Sequence, residues 1–179
     1  MTSIPSKHIF EQIVFDQSKN PLIENNLRGV FAEYLIVDIL GANWSVCEGS
    51  WNGWDIDGPN DTRVEVKSSA YIQSWYDWSV EKGKTGVSVP RFDIAERNNV
   101  KLEKHRAADL YIFALHAEKK PELADHRIVE QWNFCVVKSA MLPKGQKSIG
   151  VSGVQKLSNF IEAKNLQNEV SSNLEKWAR

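Results

Sequence analysis

Within the run Trp51 to Gln73, WNGWDIDGPNDTRVEVKSSAYIQ, the residue types and their spacing suit work on a phosphate ester. Gly58-Pro59-Asn60-Asp61-Thr62 is rich in turn formers, so strands on either side make a hairpin closed by Asp57 and Arg63. That register sets Asp55 opposite Glu65, with Cβ atoms roughly 4.5–5.5 Å apart, where like charges destabilise a sheet. A divalent cation with oxygen ligands would offset the repulsion, and Mg²⁺ is commonly held by one or two carboxylates plus waters and substrate phosphate. Because strand side chains alternate, Glu65 and Lys67 share a face with Asp55, while Val64 and Val66 point the other way into a core. The chemistry accounts for each type. Carboxylates hold a metal that polarises a phosphoryl oxygen and lowers the pKa of bound water. A lysine beside it orients or deprotonates that water and offsets charge on the phosphorane.

The elements that must position these residues can be read along the chain. Residues 1–20 have no clean period and are read as helix or loop. From Pro21 to Gly41, Ile23, Leu27, Val30, Phe31, Tyr34 and Leu35 follow the spacing of a buried face on a helix of about 18 residues. Counting round that helix places Glu33 on the flank of the stripe and Asp38 within it. Trp44 to Cys47 reads as a short strand. Val87, Val89, Phe92 and Ile94 read as extended structure that Pro90 confines to a sheet edge or outside the sheet. Ala95 to Arg106 reads as helical. Leu110 to Leu115 and Trp132 to Val137 are apolar runs of strand length, joined by a polar connection, and the first is predicted to be buried on both faces. Val154, Leu157, Phe160 and Ile161 predict one terminal helix running towards Trp177. The expectation is a single α/β (α+β) domain over 1–179, with a central mixed β-sheet flanked by helices.

Composition narrows the function classes. The 22 basic and 23 acidic residues nearly cancel, so affinity for a polyanion must come from a local patch. Lys82 and Lys84 in a Gly-rich loop are one candidate. Arg97, Lys101 and Lys104 on one helix face are another, although Glu96 and Glu103 interleave with them as on a plain solvated face. Trp51, Trp54, Trp75 and Trp78 are read as core or edge packing in preference to base stacking, and His105 and Arg106 as structural. Cys47 and Cys135 stand alone and no histidine pair has zinc spacing, as suits a reducing cytoplasm. No run of about 18 apolar residues could span a membrane, and the N-terminus lacks the apolar stretch of a signal peptide. A soluble, cytoplasmic protein is expected.

Asp55, then Glu65-Val66-Lys67 followed by Ser68 and Ser69, resembles the signature of the restriction-endonuclease-like PD-(D/E)XK nuclease superfamily. The segment from Gly29 to Gly41 resembles its first helix, where a glutamate assists the metal, and this favours Glu33 over Asp38. The resemblance implies a restriction-endonuclease-like core, a metal site of Asp55, Glu65 and Glu33 for Mg²⁺ or Mn²⁺, and Lys67 as the catalytic lysine. It implies nucleic acid, with DNA favoured, as the partner, and it admits a homodimer, since many relatives that cut both strands act as dimers. Gln73 resembles a glutamine that some members carry after the lysine, and the resemblance implies a catalytic set of Glu33, Asp55, Glu65, Lys67 and Gln73. Trp54 stands where the family name's proline would be, which leaves Asp57 as a rival to Asp55, although the hairpin register gives Asp57 an ion pair with Arg63. The alternative is a non-catalytic nucleic-acid-binding or protein-interaction module on the same fold.

Overall fold

The structure is a computed structural model that describes residues 16, 19–47, 53–75, 87–96 and 106–175. Its centre is a six-stranded mixed sheet in the order β1-β2-β3-β5-β6-β8. Strand β1 is Ser45–Val46, β2 Ile56–Asp57, β3 Arg63–Ala70, β5 Leu110–His116, β6 Trp132–Lys138 and β8 Ile161–Glu162. β3 and β5 run parallel over their whole length, from Val64 beside Leu110 to Ala70 beside His116, and the other pairs in this sheet are antiparallel. β5 is buried at every position, as its unbroken apolar sequence requires of a strand covered on both faces.

Alternation along the strands divides the core. Val64, Val66, Ile112, Ala114, Phe134 and Val136 face helices α1 (Asn25–Leu40) and α3 (Leu166–Glu175). Tyr111, Phe113, Leu115, Cys135 and Val137 face the opposite layer, a two-stranded sheet of β4 (Arg91–Asp93) and β7 (Ser148–Gly150) with the short helix α2 (Val151–Gln155). The extended segment around Pro90 therefore lies outside the main sheet, one of the two placements that its proline allows.

Helix α1 starts later than its sequence predicts and buries a different face. Leu22 packs with Ile72 and Ala124, Ile23 is buried, and the Pro21 carbonyl accepts the His126 amide, so this segment is tied to loops. Glu24 then caps the helix by accepting the Asn26 amide at 2.9 Å. The buried stripe is Arg28, Ala32, Ile36 and Leu40, whereas Val30 and Tyr34 are 44% and 61% exposed. Apolar residues occupy nearly every side of this helix, so spacing could not choose among its faces. Burying Ile36 and Leu40 contributes about 1.5–3 kcal/mol each.

The single terminal helix predicted beyond Val154 is instead two helices and a strand. α2 ends where the Ser158 amide bonds the Val154 carbonyl, and Ile161–Glu162 then pairs with Phe134 and Asn133, covering the outer edge of β6 before α3 begins at Leu166. Edge pairing wins here because β6 would otherwise present open backbone groups. Among the described residues no helix is long and apolar enough to cross a membrane.

Candidate active site

The β2–β3 turn forms as the sequence predicts, with Asp57 paired to Arg63 and Ile56 to Val64. Gly58 N–H donates to the Thr62 carbonyl at 2.8 Å, and Asn60 takes a left-handed conformation that asparagine tolerates. Gly58 also lies against the Trp44 ring, whose nearest atom would be 2.3 Å from an added Cβ, so no larger residue fits without moving the indole.

The ladder stops there. Asp55 does not continue the register opposite Glu65, contrary to the expectation from the hairpin. Its amide donates to the Val64 carbonyl at 2.9 Å, and its Oδ2 accepts the Val66 amide at 2.7 Å. The carboxylate has taken the place of a strand, satisfying a β3 donor that β2 is too short to reach. Glu65 and Lys67 thus lie beyond the end of the β2 pairing on one face of β3 and form an ion pair, with side chains 13% and 17% exposed.

Arg63 and Asp57 do not form the predicted ion pair. Asp109, just before the parallel strand β5, accepts the Arg63 backbone amide at 2.9 Å and two guanidinium bonds at 3.3 and 3.2 Å. This two-pronged arrangement outcompetes a single cross-strand contact. The guanidinium also lies over the Trp54 ring, 5.3 Å from its centre. Asp57 accepts the Trp54 indole N–H at 2.8 Å and the Cys47 thiol at 3.2 Å. Trp54 is therefore an edge-packing residue, and the rival acid is occupied by neighbours.

Glu33 is half-buried on α1, whereas Asp38 is exposed. The carboxyl of Glu33 is pushed up to about 7, first by burial and then by the negative charges of Asp55 and Glu65, with Lys67 opposing. Three carboxylates and one ammonium therefore share a field, and the excess negative charge is partly relieved by a proton on Glu33. A divalent cation would relieve it in the same way, and a set of hard oxygen donors suits Mg²⁺ or Mn²⁺. Among the described residues no three His, Cys, Asp or Glu side chains converge as a preformed ligand cluster. The Lys67 ammonium engages Glu65 and the Val66 amide engages Asp55.

Gln73 belongs to a buried network. Its Oε1 accepts Arg28 Nη1 at 2.8 Å and its Nε2 donates to the Ala70 carbonyl at 2.7 Å. The predicted contact residues Lys82, Lys84, Arg97, Lys101 and Lys104 lie outside the described residues, as do Trp51, Trp78 and His105. Arg106 is structural, donating to the Ile94 and Pro143 carbonyls and pairing with Glu96. The sequence reading missed Arg28. Its signal was available in the four-residue spacing Arg28, Ala32, Ile36, Leu40, which places a charge in line with an otherwise apolar stripe.

Residues 6–151, most of the chain and all of this acidic group, match the family model described as bacteriophage T4 endonuclease IV. No curated protein matches the chain.

Proposed function

The chain belongs to the bacteriophage T4 endonuclease IV family, and from that premise we propose that it is a metal-dependent endonuclease hydrolysing phosphodiester bonds, with DNA as substrate. The family supports a nuclease. The observation that carries the finer reading is the grouping along β3: Glu65 and Lys67 on one face, Asp55 bonded to the amide between them, and Glu33 within the field of all three. A glutamate-bearing helix, the β1–β2–β3 meander and the parallel β3–β5 pair support a restriction-endonuclease-like core of the PD-(D/E)XK type.

In this reading Asp55, Glu65 and Glu33 would hold Mg²⁺ or Mn²⁺. The bound ion supplies polarisation of a phosphoryl oxygen and a water made acidic enough to ionise near neutrality. Lys67, ion-paired to Glu65 on the same face of β3, would be placed to orient the attacking water and to offset negative charge on the phosphorane. Glu33, whose carboxyl lies at about 7, would have to be ionised to serve as a ligand. The Val66 amide keeps Asp55 aimed at the centre throughout.

The Glu65–Lys67 ion pair is also what a purely structural pair in a non-catalytic nucleic-acid-binding module would look like. One assay separates the two readings. Pure protein is incubated with linear, supercoiled, branched and single-stranded DNA, and with RNA, in Mg²⁺ or Mn²⁺, beside Lys67→Ala. Metal-dependent cleavage lost in the variant supports the nuclease, and binding without cleavage supports the module.

A further inference from the structure

We propose that Arg28 is a positioning residue for this site, clamping the helix that carries Glu33 to the strand that carries Glu65 and Lys67. The inference rests on the nuclease reading above. Arg28 is 4% exposed and bonds three segments at once. Its Nη1 donates to Asn25 Oδ1 at 2.7 Å within the first turn of α1, and to Gln73 Oε1 at 2.8 Å beyond the end of β3. Its Nε donates to Ser68 Oγ at 3.3 Å, on β3 itself. Gln73 passes the connection on to the Ala70 carbonyl at 2.7 Å, so the fork grips the last turn of the strand at two points.

Every one of these acceptors is neutral. Burial holds the Arg28 guanidinium down to about 10, with the Glu24 carboxylate opposing, which still leaves it a cation at neutral pH. A buried charge hydrogen-bonded only to neutral groups is costly to hold. The neighbours in the stripe, Ala32, Ile36 and Leu40, show that an apolar residue suits this face. Packing alone therefore does not account for arginine here. Only a rigid, planar set of donors reaches Ser68, Gln73 and Asn25 together, which a lysine ammonium does not reproduce.

The geometry links this clamp to the chemistry. Ser68 follows Lys67 on β3 and faces the other way, so a shift of Ser68 tilts the pleat that aims Lys67. Glu33 follows Arg28 by five residues on the same helix, so the clamp also sets how far α1 slides along the sheet. The effect is positional. The charges that shift Glu33 are those of Asp55, Glu65 and Lys67, acting with its burial.

The test uses Arg28→Met, which keeps volume and suits the apolar stripe, and Arg28→Lys, which keeps the charge. kcat and KM are measured separately on a DNA that the parent cleaves, with Tm and the Mn²⁺ concentration for half-maximal rate. The expected result is a kcat lowered by about 10- to 100-fold in both variants, as for a misplacement of about 1 Å. KM should be unchanged, and Arg28→Met should stay folded at the assay temperature, with a Tm lowered by the loss of the donors to Gln73 and Ser68. Parental kcat in Arg28→Met overturns the inference, as does a kcat that falls only where the variant is unfolding. If Arg28→Met does not fold, Ser68→Ala reads the same clamp through one hydroxyl: a kcat loss at constant KM supports it and a parental kcat overturns it. Lys67→Ala separates the two levels. A parent that does not cleave, or a Lys67→Ala that cleaves equally well, overturns the nuclease reading and this inference with it, whereas cleavage that depends on Lys67 but not on Arg28 overturns the inference alone.

Discussion

The Asp55 carboxylate accepts the amide of Val66 at 2.7 Å, and Val66 stands between the two charged residues of the Glu65-Val66-Lys67 motif. Two residues 11 apart in sequence are thereby locked into one unit. Asp55→Asn keeps a carbonyl oxygen for that amide while removing the charge, so the fold should survive. We expect Mn²⁺ binding, followed by calorimetry, to weaken at least about tenfold, roughly 1.4 kcal/mol. The metal-free Tm should stay level or rise as repulsion is relieved. An unchanged Mn²⁺ affinity would move the ligand to Asp57 or elsewhere.

Glu33 makes the metal-free protein sensitive to pH. Its carboxyl lies at about 7 in the folded chain against an ordinary 4.5, so the folded state binds a proton that the unfolded state has released between those values. Its contribution to stability is present below pH 4.5 and is lost as pH rises through 7. Glu33→Gln should therefore raise the metal-free Tm at pH 8 relative to the parent, with no comparable gain at pH 4.5. Mn²⁺ should raise the parent's Tm more at pH 8 than at pH 5, since it competes with that proton. Equal shifts at both pH values would place Glu33 outside the metal site.

A second pH dependence has the opposite sign. His126 is fully buried, donates through Nε2 to the Ile72 carbonyl, 3.0 Å away, and meets His116 edge-on at 4.6 Å. Since a carbonyl accepts, Nε2 carries the proton. Burial, and then His116, hold its imidazole down to about 4 from an ordinary 6.5. The stability it contributes is complete above pH 6.5 and is lost as pH falls through 4, a loss of order 3 kcal/mol. His126→Gln keeps an N–H for Ile72 and cannot titrate. Urea unfolding at pH 7, 5.5 and 4 should show a shallower acid decline in this variant, and identical slopes would remove His126 from the account.

Nucleic-acid affinity should rest on few cations, because the chain's net charge is −1. If Arg97, Lys101 and Lys104 all contact phosphates, removing them together flattens the log–log salt slope on duplex DNA by up to about 2.7 units. An unchanged slope would leave Lys82 and Lys84 as the remaining candidates of the sequence reading.

Much of the sheet was legible because alternation and turn chemistry are local. The hairpin register through Asp57 and Arg63, the two buried strands and the common face of Glu65 and Lys67 follow from neighbours in sequence. What could not be read depends on partners far along the chain. Asp109 takes Arg63 from 46 residues away, and the edge of β6 turns Ile161 from helix to strand. The buried face of α1 is fixed by Ser68 and Gln73, which receive an arginine where spacing alone favoured an apolar flank. For Glu33 against Asp38, helical counting pointed the other way and the family resemblance chose Glu33. The structure sets Glu33 within the acidic field and leaves Asp38 in solvent.

The central claim is that Lys67 acts in catalysis and does not hold the metal. The most direct measurement compares the parent with Lys67→Ala for Mg²⁺- or Mn²⁺-dependent cleavage of DNA, with Mn²⁺ binding followed on the same preparations. The account predicts that cleavage falls by at least about 10²-fold, the scale of lost acid–base and charge stabilisation, while Mn²⁺ still binds. Cleavage by Lys67→Ala at the parental rate would contradict it.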